Sequence, residues 1–197
     1  MKKTVALAIL LFVFISTTNA QVNNDKSDHL SFKGVPIDGT LNEYVLKMKK
    51  GGFIHTGTKD GLAILEGDFA SYKNCTVGVS TLKAKDLVSK IIVLFPDLEN
   101  WSSLSSNYFN LKEMLAEKYG QPTGTKEEFQ SYTPDNDGSK MTSVHLGHCK
   151  YYSIFETEKG TIELSIEQGD YSRAFVKLAY FDKINGETIK QDALKDL

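Results

Sequence analysis

The same short motif occurs twice in this chain, each time after a segment with helical periodicity. Residues 56–60 read TGTKD and residues 123–127 read TGTKE. Each copy is followed by strand-like segments and then by a long apolar strand that ends at a phenylalanine, Phe95 in the first half and Phe181 in the second. Position, order and pattern together indicate a tandem duplication, in which the second copy carries an insertion within 131–148.

A phosphate-binding loop is the alternative interpretation of the motif. Such a loop needs several glycines whose backbone N–H groups converge at the N-terminus of a helix. Each copy has a single glycine and leads into a strand. The motif therefore favours a structural repeat over a phosphate site.

Residues 1–20 have the pattern of a secretory signal peptide. Two lysines precede an apolar run, which is shorter than the roughly 20 residues of a membrane-spanning helix, and small residues lead up to Ala20. We expect cleavage between Ala20 and Gln21, an exported chain that is periplasmic or extracellular, and no transmembrane segment in the mature part. The polar segment 21–30 is expected to be disordered.

Composition excludes two classes of partner. The chain has 23 Lys and Arg against 25 Asp and Glu, and removal of 1–20, which holds two lysines, takes the formal charge from −2 to −4 (21 − 25). A mildly acidic chain without long runs of one charge is not expected to bind nucleic acid or an anionic membrane.

Two amphipathic helices are predicted. Thr40 and Glu43 fit a capping box ahead of the first apolar stripe, which ends at a pair of glycines. Ser102 is expected to be the N-cap of the second helix, and Gly120 followed by Pro122 ends that helix.

The remaining pattern is mostly that of strands. A meander is predicted over 53–95, and further strands, including one over 142–148, fill the second half up to Asp182. Asn185-Gly186 is expected to form a turn ahead of a short C-terminal helix over 187–196.

The predicted fold class is α+β. It consists of two helix-plus-antiparallel-meander units, 31–99 and 100–197, the second closed by the C-terminal helix. We expect the helices to cover one face of the sheet and to leave the other face free.

His145, His148 and Cys149 resemble a metal-binding cluster. On an extended strand, positions three apart point to opposite faces, and no second cluster supplies further ligands. Strand and turn residues are therefore the favoured interpretation, and no metal site is predicted.

Residues 133–140, TPDNDGSK, share Asp135, Asp137 and Gly138 with a calcium-binding loop. Thr133 and Val144 occupy the end positions where such a loop needs acidic ligands. Asp137-Gly138 is better interpreted as a hairpin turn.

Two cysteines, Cys75 and Cys149, remain after export. An exported chain permits a disulfide between them, and two free, buried thiols are the alternative.

Aromatic residues are concentrated in the last strands. Tyr151 and Tyr152 are neighbours, so they cannot share a face of the sheet, and some aromatic side chains must point outward. Tyr151, Tyr152 and Tyr180 are candidates for a partner-binding face, and packing under the helices is the alternative.

Two stretches, 32–53 and 101–122, resemble small exported proteins of Bacteroides-type bacteria whose function is uncharacterised. This resemblance implies an envelope or extracellular location and carries over no catalytic residue. The tandem helix-and-meander order is also similar to the beta-lactamase inhibitor protein and to small outer-membrane assembly lipoproteins, which bind protein partners on a sheet face.

The sequence therefore predicts a non-catalytic, exported protein-binding module without catalytic residues or cofactor, whose partner is another exported or envelope protein. A small hydrolase with dispersed catalytic residues and a small-molecule carrier are the alternatives. A cleft that gathers His145 or His148 with a carboxylate and a hydroxyl or thiol would favour the hydrolase, and an enclosed apolar pocket would favour the carrier.

Overall fold

The computed structural model describes residues 27–82, 85–130, 132–170 and 172–195. The predicted signal peptide, with its cleavage site at Ala20 and Gln21, and the following residues 21–26 lie outside this part of the chain.

Ten strands and four helices occur in the described residues. The strands are β1 (Ser31–Phe32), β2 (Val35–Pro36), β3 (Ile54–Lys59), β4 (Leu62–Phe69), β5 (Tyr72–Leu82), β6 (Lys85–Leu94), β7 (Gly124–Phe129), β8 (Cys149–Thr157), β9 (Gly160–Gln168) and β10 (Ala174–Asp182). The helices are α1 (Leu41–Lys50), α2 (Trp101–Tyr119), α3 (Asp137–His145) and α4 (Lys183–Leu194).

Eight strands form one antiparallel sheet with the order β3-β4-β5-β6-β10-β9-β8-β7. The last long strand of each half, β6 or β10, lies at the centre, and these two strands pair with each other. The two TGTK copies lie in β3 and β7, the outer edge strands. The predicted α+β class is confirmed, because the structure consists of four helices and an eight-stranded antiparallel sheet packed against helices.

Helices α1, α2 and α3 pack against one face of the sheet. Burial alternates along the strands, as in β9, where Ile162, Leu164 and Ile166 are buried and the residues between them are partly exposed. The buried positions join the apolar stripes of the helices in a single core. We call the opposite side of the sheet the open face.

The predicted capping box of α1 is confirmed. The Thr40 hydroxyl accepts a hydrogen bond from the backbone N–H of Glu43, and the Glu43 carboxylate accepts one from the N–H of Thr40.

The predicted N-cap of α2 was wrong, because Asn100, not Ser102, accepts the bond from the Ser103 N–H, at 2.9 Å. Asp137 accepts hydrogen bonds from both the N–H and the hydroxyl of Ser102 instead.

Helix α3 replaces a predicted hairpin and a predicted strand. Asn136 is its N-cap, Asp137-Gly138 is its first turn, and Met141 and Val144 are buried against the core. Asp137 also has a tertiary role that local sequence does not reveal, because its carboxylate accepts hydrogen bonds from the start of α2. Helix α3 lies within the connection from β7 to β8. The corresponding strands of the first half, β3 and β4, are joined by a tight turn at Asp60-Gly61.

Helix α4 begins earlier than predicted and includes Asn185-Gly186, so the predicted turn there was wrong. Asp182 is the N-cap and accepts a hydrogen bond from the Asn185 N–H at 2.9 Å. The Asn185 side-chain amide donates to the carbonyl oxygens of Ile37 and Val88, at 3.1 and 2.9 Å. These bonds hold the first turn of α4 in place.

Part of the segment predicted to be disordered is ordered. The buried Asp182 carboxylate accepts hydrogen bonds from the Leu30 N–H at 2.7 Å and from the His29 Nδ1 position at 2.9 Å. Leu30 itself is buried in the core. The prediction of disorder was therefore wrong for 27–30, because a distant carboxylate satisfies their polar groups.

Candidate functional site

One row of residues crosses the open face from edge to edge. The strand pairings connect, in order, Gly57, Ile64, Gly78, Ile92, Ala179, Glu163, Ile154 and Gly124. The row begins and ends at the glycines of the two TGTK copies. Its first-half members are all apolar or glycine, so the open face is least polar in the first half.

Four residues of the first half form what we call the apolar strip: Leu62, Ile64, Ile92 and Leu94. Leu62 is 38% exposed, and the other three are partly exposed. A Cβ at Gly78 would lie 3.4 Å from Leu62 Cδ1 and 3.9 Å from Ile92 Cβ. Leu62 and Ile92 therefore flank the same position of β5, and the strip extends from β4 across Gly78 to β6.

The rest of the open face carries charges that pair with each other. Lys177 contacts Glu167, and Lys126 Nζ lies 3.0 Å from Glu128 Oε1. At the border with the apolar strip, Lys90 Nζ lies 4.6 Å from the centroid of the Phe181 ring. These lysines have internal partners, and the apolar strip carries no charge, so another apolar surface can cover the strip without breaking an ion pair.

The three tyrosines predicted to form a partner face do not lie together. Tyr152 is on the open face, opposite Lys126 of the edge strand, and is 38% exposed. Tyr151 points to the helix side, where its ring centroid lies 4.9 Å from that of Trp101. Tyr180 is only 4% exposed and also lies on the helix side. The prediction of a shared face was wrong, since strand alternation turns two of the three inward.

The two cysteines are free thiols. Cys75 lies in β5 and Cys149 begins β8, four strand positions apart, which is about 19 Å at the usual strand spacing. A disulfide needs Cα atoms within about 7 Å, so the disulfide alternative was wrong. Burial raises the pKa of the Cys75 thiol, and it raises the pKa of Cys149 to about 12. Neither group is an activated nucleophile.

His145 and His148 do not assemble the predicted kind of catalytic or metal site with the described residues. His145 ends α3, and His148 follows in the turn before β8. The buried Nε2 of His145 has no hydrogen-bond partner in the described residues, so no carboxylate bonds to this nitrogen. Within the same part of the chain, no group of three or more His, Cys, Asp or Glu is placed to hold a metal ion.

A buried polar network that sequence patterns do not reveal lies between α2 and β7–β8. The Tyr108 hydroxyl lies 2.7 Å from Ser153 Oγ and donates to Glu127 Oε1 at 3.1 Å. Lys112 Nζ donates to the same carboxylate at 2.5 Å. Ser153 is fully buried, so no substrate can reach its hydroxyl. The network therefore holds α2 against the sheet and does not form a reactive centre.

Comparison with protein-family models, with curated proteins and with solved structures finds no significant match to this chain. The resemblances described from the sequence therefore stay predictions. Among the described residues, no helix combines the length and the apolar character needed to cross a membrane.

Proposed function

We propose that this chain is a non-catalytic exported protein that binds another exported or envelope protein through the open face of its sheet. The observation that carries this proposal is the apolar strip, which lies on a face that α1, α2 and α3 leave uncovered. Apolar surface surrounded by polar residues is typical of a protein interaction site.

The size of the open face suits such a role. Eight strands at the usual spacing span about 34 Å, and five residues of each strand extend about 17 Å. The resulting area is roughly 600 Å², close to the roughly 800 Å² per partner of a standard protein interface. The Lys and Glu residues of β7, β9 and β10 form a polar region beside the apolar strip.

The charge pattern favours a different protein over a nucleic acid or a second copy of the chain. The lysines of the open face alternate with glutamates, so no continuous basic surface is present for phosphates. The apolar strip lies on β4 and β6 in the first half of the sheet, and the paired Lys and Glu residues lie in the second half. Two copies stacked about a two-fold axis that runs along the β6–β10 pair would place the apolar strip of each copy against the charged half of the other. We therefore infer a partner with an apolar centre of its own.

We also propose that the two halves arose by duplication. Support comes from the mirrored strand order around β6 and β10 and from the row that begins at Gly57 and ends at Gly124. The connection that contains α3 is the insertion in the second half. A crystal structure in which the two halves do not superpose would contradict this proposal.

The alternatives have less support. Two networks in the described residues join a hydroxyl, a carboxylate and an amine: one surrounds the buried Ser153, and in the other Ser165 and Lys177 both donate to Glu167. Neither network contains a histidine, which disfavours the hydrolase described from the sequence. The apolar cavity under the helices has a volume of about 130 Å³, below the roughly 300 Å³ at which ordinary ligand pockets begin. A carrier of larger molecules is therefore disfavoured.

A crosslinking pull-down with matched variants tests the binding proposal. The tagged chain is expressed in its native host, crosslinked and captured, and its partners are identified by mass spectrometry. Ile64→Glu places a charge in the apolar strip, and Leu46→Glu places the same charge at an exposed leucine of α1, on the helix side.

We expect a specific exported partner that Ile64→Glu loses and Leu46→Glu retains, with unchanged circular dichroism for both variants. Equal capture by both variants would exclude the apolar strip as the binding site. Capture of a second copy alone would replace the proposed partner by self-association.

A further inference from the structure

A small cavity lies on the helix side of the sheet, between the second half of α2 and the end of the β4–β5 hairpin. We call it the seam cavity, because its walls come from both halves of the chain. Phe69 contributes from the first half, and Leu111, Leu115 and Leu178 contribute from the second. Its volume is about 130 Å³, close to that of an apolar cavity that binds benzene.

A largely buried tyrosine whose hydroxyl has no hydrogen-bond partner in the described residues lines this cavity. Tyr180 is 4% exposed, and no group in the described residues forms a hydrogen bond with its hydroxyl. Burial raises the pKa of Tyr180 far above its ordinary value, with smaller contributions from Tyr119 and Tyr44. The group therefore keeps its proton at physiological pH and is available as a donor. The Tyr180 hydroxyl is not among the fully buried polar atoms that lack a partner in the described residues, so it is accessible and free to donate to a molecule in the cavity.

A positively charged residue also lines the cavity. Lys118 lines the wall and is exposed toward solvent, and its Nζ lies 4.9 Å from the centroid of the Tyr119 ring. It forms no ion pair with the described residues. Met114, which is 41% exposed, borders the opening, so the cavity is accessible from solvent past a flexible side chain.

The turn between β4 and β5 borders the cavity. Ala70 lines it, and both Ala70 and Ser71 have positive φ, of 49° and 69°, as a two-residue type I′ hairpin turn requires. Phe69, the last residue of β4, also lines the cavity.

We propose that the seam cavity binds small carboxylic acids that carry one apolar group about the size of a benzene ring. The ring occupies the apolar end beside Leu111, Leu115 and Leu178. The carboxylate accepts a hydrogen bond from the Tyr180 hydroxyl and pairs with the Lys118 ammonium at the opening. This site is separate from the open face and does not depend on the proposed protein partner.

The test is a titration of the ¹⁵N-labelled full chain, followed by heteronuclear NMR, with three probes. They are 3-phenylpropionate, its neutral analogue 3-phenylpropan-1-ol, and acetate, which has the carboxylate without the ring. We expect the first two to cause saturable shift changes at Leu111, Leu115 and Leu178 and acetate to cause none. The carboxylate should bind roughly two- to fivefold more tightly than the alcohol.

Three variants assign the polar contacts. Lys118→Gln removes the charge at an exposed position and should remove the preference for the carboxylate, whereas Lys49→Gln, an exposed lysine of α1, should preserve it. Tyr180→Phe keeps the ring and should weaken 3-phenylpropionate binding by about two- to tenfold.

Two results would overturn the proposal. The first is the absence of saturable changes at the cavity residues with either ring compound. The second is equal affinity of the two ring compounds, both for the wild type and for Lys118→Gln. Such a result would show that the cavity binds the ring by nonspecific hydrophobic contact alone.

Discussion

Gly57 and Gly124 lie in the same cross-strand row at opposite edges of the eight-stranded sheet. Each is the glycine of a TGTK motif, and the row between them crosses the pairing of Ile92 with Ala179, where the two halves meet. Edge strands present unpaired backbone groups, and a lysine at an edge, such as the one that each TGTK motif carries, discourages further strand addition. The repeated motif therefore has a structural explanation as a pair of protected edges.

Gly160 is the glycine whose replacement should be most damaging. It begins β9 with φ of 151°, and a Cβ there would lie 2.0 Å from the carbonyl oxygen of Phe181. Because backbone atoms must move, we expect Gly160→Ala to lower the free energy of unfolding by about 3 kcal/mol, measured by urea denaturation.

The matched control is Gly186→Ala in α4, where a Cβ meets no atom within 4 Å. Alanine in a helix should raise stability by up to about 1 kcal/mol. A Gly160→Ala variant as stable as the wild type would show that Gly160 does not lie this close to the carbonyl oxygen of Phe181 in solution.

Two buried tyrosines should respond differently to loss of the hydroxyl. Tyr108→Phe removes bonds to Ser153 and Glu127 and leaves the buried Ser153 hydroxyl poorly satisfied. We expect it to cost about 1–3 kcal/mol of unfolding free energy. Tyr180→Phe removes a hydroxyl without a protein partner and should not lower stability. Calorimetry on the two variants checks this, and equal losses would mean that Tyr180 has a partner in solution.

Local sequence signals predicted the elements whose stabilising contacts are themselves local. The capping box of Thr40 and Glu43 spans three residues, so it was readable. The start of α3 was not, because Asp137-Gly138 favours a turn locally and local sequence does not reveal that Asp137 contacts α2. In the same way, Asn185-Gly186 is a turn signal that three distant acceptors override.

The candidate sites were harder to predict than the fold. In β10, apolar residues occur on both faces, so alternation could not tell which side Tyr180 occupies. The apolar strip and the seam cavity each combine side chains from segments far apart in the sequence. Their composition depends on strand order, which hydrophobic periodicity does not specify.

The thiols offer a direct test of the strand order. With Cys75 and Cys149 four strands apart, we expect two free thiols by titration with a thiol reagent after denaturation, under non-reducing conditions. In the folded chain at pH 8, both should react slowly, because burial raises both pKa values. A disulfide-linked peptide in a non-reduced digest would contradict the observed separation of β5 and β8.

Stability at acidic pH should depend on Asp137. Its carboxylate accepts hydrogen bonds from the Ser102 hydroxyl and from the backbone N–H groups of Trp101 and Ser102, at 2.6, 2.8 and 2.9 Å. The hydrogen bond from the Ser102 hydroxyl is the largest cause that lowers the pKa of Asp137 from its ordinary value of 3.8; desolvation opposes it, and the two backbone bonds lower the pKa further. The folded state thus favours the charged form, as the start of a helix also does.

The sign of the pH dependence follows from this lowered pKa. The stabilisation by Asp137 is complete above pH 3.8 and is lost as the pH falls through the lower, folded-state value. We expect Asp137→Asn to have a lower melting temperature than the wild type at pH 6, with a difference that shrinks below pH 3.8. The control is Asp135→Asn at a neighbouring, exposed position, which should have the melting temperature of the wild type. A difference in melting temperature between the wild type and Asp137→Asn that does not change with pH would exclude the charge of Asp137 as its cause.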